Sequence, residues 1–81
     1  MEETQTMDML LEILQEIRPG VDYQNETALL DDGLLDSFAL SALLAALNRR
    51  FGILISVGDL EPANFNSVQA MQSLVERTLR K

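Results

Sequence analysis

Between Ser37 and Phe51 the residues Leu40, Leu43, Leu44, Leu47 and Phe51 recur at three- and four-residue intervals, a spacing that only a helix gathers onto one side. The chain has 81 residues, room for one core and no more, so this stripe must be covered by other amphipathic helices of the same molecule. The expected helix runs over about residues 37–51. Gly52 supplies a C-terminal stop, and Arg49 and Arg50 complement the negative end of the helix dipole.

Two further stretches carry the same period. From about Thr4 to Arg18, Met7, Leu10, Leu11, Leu14 and Ile17 form a stripe opposite Asp8, Glu12 and Glu16; Pro19-Gly20 ends it, and the early acids Glu2, Glu3 and Asp8 suit its positive end. From about Ser67 to Arg80, Val68, Met71, Leu74, Val75 and Leu79 are expected to be buried, with Asn66 or Ser67 as the cap and Arg77, Arg80 and Lys81 at the C-terminal end. Ile53–Val57 alternates like a strand but has nothing to pair with, and is read as an extended connector. One helical turn is expected around Gly58–Glu61, before Pro62, and Phe65 should close one end of the core.

The expected fold is therefore all-α, a bundle of three main helices with a short fourth turn, forming one domain over residues 1–81. Residues 20–35 lack periodicity, a long connection for so small a protein. Its Leu29, Leu30, Leu34 and Leu35 should pin it to the core. The acids there do not fit a calcium loop, because neither Gly33 nor Asp22 brings the remaining ligand positions into register.

Composition removes most chemistry. With no cysteine and no histidine the polypeptide lacks thiolates, disulfides, imidazole bases and the usual zinc ligands. A serine here could be activated only by carboxylates with pKa values near 4, too weak for the task, so the chain is read as not an enzyme. No metal site is expected. The N-terminus has no basic segment of a signal peptide, and no apolar run approaches the roughly 20 residues needed to cross a bilayer, so a cytoplasmic, monomeric protein is expected. The net charge of −7 is unevenly spread: residues 1–36 hold ten acids against Arg18 alone, while residues 37–81 hold three acids against five bases. Such a field repels nucleic acid and steers the protein toward basic partner surfaces.

The acidic half ends at Gly33-Leu34-Leu35-Asp36-Ser37-Phe38, which delivers Ser37 onto the first turn of the central helix. Its hydroxyl either caps the free backbone N–H groups or carries a covalent anion that the dipole favours. Running away from it are Phe38, Ala42, Ala45, Ala46 and Arg49, an expected outer face without an acidic residue. That face is either alanine-rich helix propensity or a surface on which partners dock.

Asp36-Ser37-Phe38 matches the D-S-[L/F/M/I] motif of the acyl carrier proteins, small acidic helical bundles that include peptidyl and D-alanyl carriers, and residues 5–80 resemble that family in size and layout. The G-L-L-D-S-F segment, the leucine-rich helix, Phe51-Gly52-Ile53 and an aromatic, Phe65, before the last helix follow the D-alanyl carrier pattern. The resemblance implies an acyl-carrier-like bundle with Ser37 as attachment site for a 4′-phosphopantetheine arm from coenzyme A. It also implies a docking face of Asp36, Phe38, Ala42, Ala45, Ala46 and Arg49. The implied partners are a phosphopantetheinyl transferase, an adenylating ligase or acyltransferase, and a downstream acyl-accepting enzyme, with Asp31, Asp32 and Asp36 guiding the transferase. One departure is that fatty-acid carriers display several acids along this helix and this chain has none there, which favours aminoacyl or peptidyl cargo. The competing reading is a non-enzymatic acidic adaptor in which Ser37 is only a helix cap.

Overall fold

The computed structural model describes residues 3–80, without the side chains of Glu3, Thr4 and Val57. Glu2 and Lys81, expected to complement the dipoles of the first and last helices, lie outside the described residues. The chain is all-helical: α1 (Glu3–Ile17), α2 (Ser37–Phe51), a 3₁₀ turn (Val57–Asp59), α3 (Pro62–Phe65) and α4 (Val68–Leu79). Among the described residues there is no strand, and residues 53–56 form the extended connector expected of them.

α1 packs against both α2 and α4, and α3 packs on α4. One cluster of buried side chains holds these elements together: Leu10, Ile13 and Leu14 from α1, Leu43, Leu47 and Phe51 from α2, and Val68, Met71, Leu74 and Val75 from α4. Phe65 closes the cluster ahead of α4, as expected. Thr6 is also fully buried. At α4 the cap is Ser67, whose Oγ accepts the Ala70 N–H at 3.1 Å.

Burial departs from the expected stripes in three places. On α2 the buried row is Leu43, Ala46, Leu47 and Phe51, while Leu40 and Leu44 are half-buried. The helix is thus turned about its axis toward Ala46, because α1 and the loop cover that side. On α1, Ile13 joins the core and Met7, Leu11 and Ile17 sit at its edge. Leu79, expected inside, is 40% exposed in the last turn of α4. The helical turn expected before Pro62 is the 3₁₀ turn Val57–Asp59, and a further short helix, α3, begins at Pro62 itself, since a proline in the first turn loses no hydrogen bond and brings a φ suited to the helix.

The connection over residues 18–36 is pinned more firmly than its composition suggests. Leu29 and Leu35 are buried, with Leu30 and Leu34 packed at the core's edge. Backbone bonds from Asp32 N to Ala28 O, Gly33 N to Leu30 O and Leu35 N to Leu29 O close the segment on itself, and Gly33 takes the positive φ of 76° that this turn requires. Tyr23, the chain's one tyrosine, is 1% exposed, and its hydroxyl donates to Leu14 O at 3.2 Å and Arg18 O at 2.6 Å. It therefore satisfies Arg18 O just past the end of α1 and adds a second bond to Leu14 O, which already accepts the Arg18 N–H.

Candidate functional site at the start of the central helix

The loop ends at Asp36, whose backbone is extended (φ −87°, ψ −177°) and whose Oδ1 accepts the Ala39 N–H at 2.8 Å. Asp36 is thus the N-cap of α2, and the reading of Ser37 as the cap is corrected. Adjacent aspartate and serine are both good cap formers, so the choice falls to the residue that keeps the non-helical conformation. Asp36 keeps it because Leu35 is buried immediately before it, and Ser37 becomes the first helical residue.

Ser37 is exposed, and among the described residues no hydrogen bond engages its hydroxyl. No acid lies in the first turn of α2, so the positive end of the dipole is offset only by the Asp36 cap. A phosphodiester on Ser37 would meet free backbone N–H groups and no obstructing side chain, which is the fit that a covalent phosphopantetheine needs.

Phe38, beside Ser37, is 85% exposed. Successive steps of four, three and four residues carry its face of α2 through Ala42 and Ala45 to Arg49, all exposed. Ala46 is corrected: with 9% of its surface left it belongs to the core row, not to this face. A groove of about 270 Å³ lies between the end of α1 and the start of α2, lined by Ile17, Arg18, Asp36, Phe38, Ala39 and Ala42. No residue pattern marks it, since it depends on how α1 crosses α2.

Asp31 and Asp32 are exposed on the loop before the cap. Asp31 is held by Asn66, a residue that sequence reasoning considered only as a cap for α4. No described helix is long and apolar enough to cross a membrane, and among the described residues no group of three or more acidic, histidine or cysteine side chains is placed to hold a metal ion.

An exposed serine, freed from capping, stands at the head of an alanine-lined helix in a small all-α bundle, the layout that a carrier protein would need. A D-alanyl carrier protein of Bacillus velezensis is 32% identical to this chain over 63 residues, 78% of each of the two proteins. The chain belongs to the acyl and peptidyl carrier protein family. No family model matches it, and no solved structure does.

Proposed function

We propose that this carrier holds an acyl or aminoacyl cargo as a thioester on a 4′-phosphopantetheine arm attached to Ser37. The observation that carries the reading is the division of labour at the start of α2: Asp36 closes the helix and leaves the Ser37 hydroxyl exposed and without a structural bond. In the modification, the Ser37 oxygen forms a new bond to the β-phosphorus of coenzyme A as adenosine 3′,5′-bisphosphate leaves, and the serine proton passes to a base on the transferase. When bound, the arm supplies the thiol that the polypeptide lacks.

The named character of the Bacillus relative and the absence of acids from α2 favour D-alanine or another amino acid over a fatty chain as cargo. Loading would come from an adenylating ligase, and a cytoplasmic, monomeric carrier would meet its partners one at a time. The exposed row of Phe38, Ala42, Ala45 and Arg49, together with Asp36, is the proposed docking face. A surface that must release each partner suits small interfaces.

The test is intact mass after incubation with coenzyme A and a broad-specificity phosphopantetheinyl transferase. The native chain gains one phosphopantetheine and Ser37→Ala gains none. An unmodified native chain overturns the reading in favour of the adaptor. For the docking face, Ala42→Glu and Ala45→Glu should leave folding intact and slow charging of the modified protein by a D-alanine-activating ligase about tenfold, the effect of about 1.4 kcal/mol. Equal rates would return that row to ordinary helix propensity.

A further inference from the structure

One polar residue joins the α3–α4 corner to the loop that presents Ser37. Asn66 is the C-cap of α3 and immediately precedes the Ser67 cap of α4, with the fully buried Phe65 and Val68 on either side. From that fixed position it makes four bonds to a segment 35 or more residues away. Its backbone carbonyl accepts the Leu29 N–H at 2.9 Å. Its Oδ1 accepts the N–H of Leu30 at 2.9 Å and of Asp31 at 3.1 Å, and its Nδ2 donates to Asp31 Oδ2 at 3.2 Å.

The buried anchors Leu29 and Leu35 fix where the segment enters and leaves the core, but the acids Asp31 and Asp32 between them are exposed. Apolar packing alone gives those acids no direction. Asn66 does, because it satisfies two consecutive N–H groups and also the Asp31 carboxylate, a set no other side chain in the described residues provides. The geometry points to Asn66 as a positioning residue for the modification of Ser37: it holds the Asp31–Asp36 acidic edge in the orientation that the modifying enzyme reads. This inference rests on the attachment proposed at Ser37.

The experiment follows phosphopantetheine transfer from coenzyme A to the full chain by intact mass, at a temperature where circular dichroism shows every variant folded. Asn66→Ala should lower kcat/KM about tenfold, an effect of about 1.4 kcal/mol, with the change in KM and little in kcat. Amide exchange at Leu30 and Asp31 should speed up in the same variant. A control of purely structural kind is Thr78→Val, which removes the hydroxyl bond to Leu74 O at the far end of α4 and should leave KM unchanged.

An Asn66→Ala protein modified as fast as the native chain overturns the inference while leaving the Ser37 reading standing. So does a loss that falls in kcat with KM unchanged. A native chain that gains no mass overturns the Ser37 reading itself.

Discussion

The two ends of α2 are closed by different kinds of group. At the exit, Gly52 turns the chain with a φ of 65°, the N–H groups of Gly52 and Ile53 both reach Asn48 O, and Ile55 N–H reaches Asn48 Oδ1. Phe51 is buried there and Arg50 pairs with Glu12 across to α1 at 3.1 Å. Side chain after side chain at that end has a structural task. At the entry, one carboxylate closes the helix, and the residues immediately after it, Ser37 and Phe38, are left exposed. The difference locates the candidate site: chemistry needs a side chain that the fold does not use, and at the entry that side chain is a hydroxyl beside the free N–H groups of the first turn.

The comparison depends on both ends being carried by one buried row, and the largest effect should come from there. Leu47 is fully buried, midway between Leu43 and Phe51. Leu47→Ala should destabilise the fold by about 2–5 kcal/mol in urea unfolding, through lost burial and the cavity left behind. Leu44→Ala, at a half-buried position, should cost clearly less. Equal losses would return α2 to the rotation expected from its leucines.

The end of α1, which lines the groove beside the entry, is closed by Tyr23, and its loss should rank next. Tyr23→Phe leaves Arg18 O without its donor and Leu14 O with the Arg18 N–H alone, a cost of about 1–3 kcal/mol where such a group is buried. The same phenol gives a pH signature. Burial raises its pKa above the ordinary 10.0, a rise that the nearby Arg18 charge partly opposes. A pKa raised by folding means that the neutral phenol is favoured in the native state. Its contribution is complete below pH 10 and is lost as pH rises through the native value. With no other tyrosine in the chain, phenolate absorbance during alkaline unfolding reports this group alone, and Tyr23→Phe should lose less stability over that range.

The limits of reading such a chain from its residues are visible at particular positions. The bounds of α2 were legible because an apolar period, a terminal glycine and paired arginines all agree, and the fold class followed. Its rotation was not, because periodicity records residue type and cannot see which neighbours cover each side. That is how Leu44 was expected inside and Ala46 outside. Tyr23 and Asn66 escaped notice for a related reason: each acts through bonds from a loop or a corner, where no repeating pattern marks importance. Ser37 was found, but its freedom was not, since aspartate beside serine leaves the cap undecided until the backbone of Asp36 is seen.

The sharpest form of the comparison sets the two neighbours at the entry against each other. Asp36→Ala removes the acceptor for the Ala39 N–H and should cost about 1 kcal/mol, the usual loss for a helix cap. Ser37→Ala removes an exposed hydroxyl that bonds to nothing in the described residues, and alanine suits the first turn of a helix at least as well, so stability should change by less than about 0.5 kcal/mol. Urea unfolding of the two variants side by side separates the roles. If Ser37→Ala instead costs as much as Asp36→Ala, the hydroxyl is part of the cap, and the contrast between the two ends of α2 disappears along with its meaning for the site. If the expected order holds, a substitution nearly silent in stability abolishes modification outright, a combination that a purely structural serine cannot produce.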